Sequence, residues 1–228
     1  MHNRIKDIYA LIAALALLFA LLLSPESRAD GFAAGNTAEQ SNAWRFRVYL
    51  DDREIGYHDF YLAGNGEHRQ LRSVARFEYK LLFVKLFHYE HENLETWSGN
   101  CLQSVRSQTD SNGLDLEVEG RRGADGFQVS GSAGTASLPE CVMSFAYWNP
   151  VFLQQQRLLN TQDGSFLDIT VSPPVQDELV RNGEPQSAVR YRLDAGEIQL
   201  DLWYSGASEW LGLESEVEGG RKLRYELI

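Results

Sequence analysis

The chain has only two cysteines, Cys101 and Cys141, and no Cys-x-x-Cys pair, which argues against a dithiol redox enzyme. It has no Gly-x-Ser-x-Gly elbow, and neither cysteine sits in a catalytic context, so nothing points to a serine or cysteine nucleophile. Basic residues are short, 21 Lys and Arg against 32 Asp and Glu. The resulting net charge of −11 disfavours partners held by their negative charge, nucleic acid and anionic membrane surfaces alike. Alternating strand and helix patterns are also absent, which removes the parallel α/β folds.

Long apolar runs are confined to one place. Arg4 and Lys6 precede the uninterrupted stretch Ile8 to Leu23, and Ser27-Arg28-Ala29 follows with small residues at alternate positions. This is the layout of a secretory signal peptide cleaved near Ala29, and it predicts an exported, periplasmic protein. The run is slightly short for a bilayer crossing, which needs roughly 20 residues, and the alternative is an uncleaved N-terminal membrane anchor. No cysteine follows the run to carry a lipid. Residues 1–29 contain Arg4, Lys6 and Arg28 against Asp7 and Glu26, so their removal leaves a net charge of −12. In an oxidising compartment Cys101 and Cys141 are expected to pair, closing a loop of roughly 40 residues; two separate buried thiols are the other possibility.

The remaining chain reads as strands. Asp30 to Asn42 holds little to bury and is expected to be a flexible lead, with a single β-rich domain over residues 44–228. Trp44, Phe46, Val48 and Leu50 alternate, and Asp51-Asp52-Arg53 turns the chain into Glu54 to Leu62. Turns follow at Gly64-Asn65-Gly66, Ser98-Gly99-Asn100 and Asp110-Ser111-Asn112-Gly113. Between them, Phe77 to Trp97 forms one long strand, or two joined by a bend near Lys85. Its odd positions put Phe77, Tyr79, Leu81, Phe83, Phe87, Tyr89 and Trp97 on one face. Asn149 and Pro150 open a predicted short helix reaching Leu159, and the Pro- and Gly-bearing stretch from Pro173 to Glu184 reads as a loop. The predicted fold is all-β and mostly antiparallel: a curved sheet, a partly closed barrel or a sandwich, with one short covering helix.

The segments Glu95-Thr96-Trp97, Cys101 to Gly113, Ser144-Phe145-Ala146-Tyr147-Trp148-Asn149, Leu159 to Gly164 and Leu202-Trp203-Tyr204 resemble a family of uncharacterised exported bacterial β-rich proteins, a domain of unknown function. The resemblance covers most of Trp44 to Ile228. It implies curved antiparallel sheets or partial barrels, some of them thought to hold lipid-like molecules.

Candidate sites are few. His88 and His91 sit among Glu90, Glu92 and Glu95, but strand alternation divides these five between two faces, so no metal site is expected. Glu95 beside Trp97 is the one carboxylate placed for acid–base chemistry; its other role is to bond backbone groups or an arginine at a strand end. Tyr147-Trp148-Asn149-Pro150 and Trp203-Tyr204 suit either a ligand-binding mouth or a core. The expected function is non-catalytic binding of a hydrophobic or amphipathic, lipid-like molecule on a face lined by Phe83, Phe87, Tyr89, Trp97, Tyr147, Trp148 and Trp203. No cofactor, metal, catalytic residue or nucleic acid partner is expected. The alternatives are an envelope assembly factor with a protein partner, and a hydrolase or isomerase using Glu95.

Overall fold

A computed structural model describes residues 41–81, 84–181 and 183–228. Residues 41–228 belong to one compact unit. The expected signal peptide and nearly all of the flexible lead lie outside the described residues.

Sixteen strands account for most of the described chain. In order they are β1 (Asn42–Leu50), β2 (Arg53–Asn65), β3 (His68–Leu81), β4 (Val84–Ser98), β5 (Cys101–Ser111), β6 (Leu114–Gly123), β7 (Gly126–Gly131) and β8 (Gly134–Leu138). They continue with β9 (Arg157–Leu159), β10 (Phe166–Asp168), β11 (Thr170–Val171), β12 (Val175–Arg181), β13 (Glu184–Ala195), β14 (Ile198–Tyr204), β15 (Trp210–Val217) and β16 (Arg221–Leu227). All but β9 and β10 join one antiparallel, curved and unclosed sheet, ordered β11-β13-β14-β15-β16-β1-β2-β3-β4-β5-β6-β7-β8, with β12 alongside β13. The C-terminal strand β16 pairs with the first strand, Val48 facing Tyr225, so the two halves of the chain meet at the middle of the sheet.

Local chemistry explains the hairpins. Ser111 pairs with Leu114 across a two-residue loop in which Asn112 and Gly113 both adopt positive φ, 54° and 83°, which those two residue types tolerate best. Gly120 serves close packing instead. A Cβ there would lie 2.5 Å from the Phe127 ring and 2.9 Å from Val105, so its absence lets those two side chains close over β6.

One face of the sheet holds the core. Phe46, Val48, Leu102, Val118, Phe127 and Leu202 are buried on it, each from the parity its strand alternation assigns. Residues 139–169 return across this face as a plug, whose Phe152, Leu158 and Leu159 are fully buried. The plug is tied to β5 at its start. Cys101 and Cys141 form a disulfide with Cα atoms 4.9 Å apart, and the Leu102 N–H donates to the Val142 carbonyl at 2.9 Å.

Three expectations change. The Phe77–Trp97 stretch is a hairpin: β3 and β4 pair antiparallel, Phe77 facing Tyr89 and Leu81 facing Val84, so the chain reverses ahead of Lys85. The helix expected over Pro150–Leu159 is a five-residue 3-10 turn, Pro150–Gln154, capped by Asn149. Beyond it the chain becomes β9, because Leu158 and Leu159 gain backbone partners from β10 at Leu167 and Phe166. Finally, part of the Pro173–Glu184 loop is strand β12, whose Val175 to Arg181 pair residue by residue with β13.

Candidate functional site

The inward face of β4 runs Phe87, Tyr89, His91, Asn93, Glu95, Trp97, so three polar side chains interrupt an aromatic row. Strand parity alone places them there. His91, Asn93 and Glu95 are all buried.

Glu95 anchors the plug. Its side chain is 2% exposed and accepts three hydrogen bonds, from Asn93 Nδ2 at 3.0 Å, Trp97 Nε1 at 3.0 Å and Ser144 Oγ at 2.8 Å. Burial raises the carboxyl above its usual range, while the Asn93, Ser144 and Trp97 donors pull it back. A carboxyl enclosed in this way locks Ser144 of the plug to the sheet. Its partners are side chains, not the backbone or arginine expected at a strand end.

Towards the middle of the face, neighbouring strands contribute two rows. Across the first, His58, Ala75, His91 and Thr109 stand side by side on β2, β3, β4 and β5. The second carries Phe60, Ser73, Asn93 and Ser107. His91 Nδ1 lies 2.8 Å from Thr109 Oγ1, and His58 Nδ1 lies 3.3 Å from the Tyr225 hydroxyl. Burial lowers His91 to about 4. It holds His58 well below the usual imidazole range, and the nearby His91 adds to this. Both rings are therefore neutral at pH 7. Tyr147 and Tyr225 have hydroxyls raised above the usual phenol range by the same desolvation.

The aromatic residues picked out from sequence separate into three places. Trp97 and Trp148 meet edge to face at 5.6 Å in the plugged end, with Arg69 stacked 4.6 Å over Trp148. Tyr147 reaches from the plug to Trp210 and Phe60 at ring distances of 5.1 and 6.4 Å. Phe87 and Tyr89 lie towards the opposite end, half-buried, their rings parallel at 6.4 Å and Tyr89 stacked on Phe77 at 5.2 Å. Trp203 does not join them. It packs with Ala188, Leu211 and Leu179 in a separate cluster on the outer face and donates to Asp177 at 3.0 Å. Phe83 lies outside the described residues.

Sequence reasoning passed over His58, Asn93, Thr109 and Ser144. A signal existed for two of them: Asn93 shares the parity of Tyr89 and Trp97, and His58 that of Phe60 and Leu62. Partners in distant segments, Thr109 and Ser144, carry no such mark. Two depressions of about 250 and 570 Å³ occur on the outer surface, one beside Tyr57, Arg76 and His88 and the other beside Leu94, Arg106 and Arg121. Neither is lined by Phe87, Tyr89, Trp97, Tyr147, Trp148 or Trp203. Among the described residues no three His, Cys, Asp or Glu side chains are grouped to hold a metal ion.

The fold is similar to that of a beta-barrel-like protein of the domain of unknown function DUF1849 from Brucella abortus. The TM-score is 0.54 at 9% identity, over 82% of this chain and 94% of that one. No curated protein matches the sequence. The model of the domain of unknown function DUF6134 matches residues 46–228, almost the whole of the β-unit, and the chain belongs to that family.

Proposed function

We propose that this is an exported, non-catalytic binding protein that holds a hydrophobic or amphipathic, lipid-like molecule at the unplugged end of its inner face. One observation carries the reading: Tyr79, Phe87 and Tyr89 pack against the core yet stay half-buried, three aromatic rings together at one end of the β3–β4 hairpin. Large rings left partly uncovered beside a packed core gain by covering, about 25 cal/mol for each Å² of apolar surface removed from water. Tyr147 extends the same surface towards the plug, while Trp97 and Trp148 are packed away at the plugged end. The disulfide supports export, because such bonds persist in oxidising compartments.

The test is native mass spectrometry with organic extraction on protein purified from the envelope of its own host. The expected result is a lipid-sized mass that is lost in Phe87→Ala. A clean unliganded mass, unchanged after incubation with envelope lipid extract, would overturn the reading.

A further inference from the structure

We infer that the larger depression on the outer face is a binding groove for an extended, uncharged glycan. The inference stands apart from the lipid reading above and concerns the opposite face of the sheet.

Strand register builds the groove. The depression holds about 570 Å³ and crosses the strands between two ladders of outward-facing side chains. One ladder is Leu94, Arg106, Glu119, Ser130 and Thr135, each facing the next across β4 to β8. The other, two residues along each strand, includes Ser104, Arg121 and Gln128 on β5, β6 and β7. Val105 and Val129 turn their side chains into the core, so the floor between the ladders is backbone. Bonds among these side chains run along the ladders: Arg106 pairs with Glu119 at 2.9 Å and Gln128 donates to Ser137 at 2.8 Å. Among the described residues no hydrogen bond or ion pair spans the groove, so both walls stay available to a ligand lying between them.

The lining selects the ligand. The Arg121 guanidinium is exposed and has no acidic partner among the described residues, its register neighbours being Ser104 and Gln128. Guanidinium, amide, hydroxyl and carboxylate groups thus stand side by side as donors and acceptors. Sugar hydroxyls, each a donor and an acceptor at once, match such a mixture, and a guanidinium fork can span two neighbouring hydroxyls. Leu94, 43% exposed, offers an apolar surface for the C–H face of a sugar ring at one end. A lipid tail would meet mostly polar groups. A peptide would find no free backbone along the floor, where β5, β6 and β7 are each paired on both sides. A polyanion would meet Glu119 and a chain of net charge −11 with a single uncompensated arginine to hold it. From β4 to β8 the groove crosses four strand spacings of about 4.8 Å, which accommodates about four sugar residues of an extended chain.

The experiment follows the Arg121 and Gln128 side-chain N–H signals of the full protein by NMR during titration with chitohexaose, cellohexaose and maltohexaose, and with the disaccharide and tetrasaccharide of each. The expected result is that at least one series moves both signals, its affinity rising about tenfold from disaccharide to tetrasaccharide and little beyond, as one or two added hydrogen bonds allow. Combining Arg121→Ala with Gln128→Ala, both exposed, is expected to weaken that binding about tenfold with the denaturation midpoint unchanged. Ser130→Trp, which fills the groove, is expected to block it. No movement with any of the three hexasaccharides, or binding that the double variant retains in full, would overturn the inference. So would tighter binding of hexagalacturonate, which would mean attraction by charge, or of a Gly-Ser repeat hexapeptide, which would make this a peptide groove.

Discussion

The two ends of the inner face are built from the same strands and differ in what covers them. At the plugged end, Trp97 is 1% exposed, wedged against Trp148 and held by Glu95, and residues 139–169 exclude water from it. At the other end the same strand β4 presents Phe87 and Tyr89 to a face that nothing else in the described chain fully covers. Alternation dictates which side chains point inward at both ends. Coverage decides which of them are core, and here coverage is set by a segment tied down far away in sequence, at Cys101–Cys141.

If that contrast is right, truncation should be expensive at one end and cheap at the other. Trp97→Ala removes a fully buried ring and leaves a Glu95 oxygen without its donor, so a loss of about 4 kcal/mol or more is expected in chemical denaturation. A loss under about 1 kcal/mol would show that the plug does not pack as a core. Cutting the tether is the next test. Replacing Cys101 and Cys141 by serine reopens a loop with a sequence separation of 40, for which chain entropy gives about 4 kcal/mol. The loss is expected to appear chiefly as a faster release of the plug, read by amide exchange at Val142 and Leu159, with β1 and β16 affected less.

Much of this was legible in the residues, and the failures have physical causes. Phe46 and Val48 alternate with exposed arginines, and Asn112-Gly113 has the chemistry of a two-residue turn, so their strands and turns followed directly. The β3–β4 reversal was obscured because Leu81-Leu82-Phe83-Val84 contains no Gly, Asn or Pro to mark it. Asn149-Pro150 is a genuine cap, yet a cap sets where a turn begins and cannot hold it once Leu158 and Leu159 find strand partners. Trp203 shows the deepest limit. Its parity separates it from Leu202 and Tyr204, but parity does not say which face the core occupies, and only the β12–β13 hairpin, with Leu179 and Asp177 reaching it, reveals that it faces outward.

The band of neutral histidines between the two ends gives a smaller, pH-dependent contrast. His91 titrates at about 4 in the folded chain against an ordinary 6.5, so below pH 6.5 the unfolded chain binds a proton that the folded chain refuses. Stability therefore falls as pH drops from 6.5 towards 4, and the His91 contribution is about 2 kcal/mol by pH 5. His58 acts in the same direction. Glu95 acts in the opposite one: its raised carboxyl takes up a proton at higher pH in the folded chain, which favours the fold as pH falls towards 4.5. Denaturation midpoints at pH 7.5 and pH 5 should converge in His91→Gln. Unchanged separation would mean that the ring is hydrated and the band is no deeper than the surface.

The smallest effect on stability is expected at the unplugged end, and there it separates folding from binding. Phe87 touches the core only along one side, its ring parallel to Tyr89 at 6.4 Å, so Phe87→Ala should cost about 1 kcal/mol rather than the several that a filled site costs. Loss of the retained lipid at nearly native stability would assign Phe87 to a binding surface. A penalty matching that of Trp97→Ala would instead make this end a second piece of core. The half-exposure of Phe87, Tyr89 and Tyr79 would then reflect only how a curved, unclosed sheet ends, and the difference between its two ends would be one of degree.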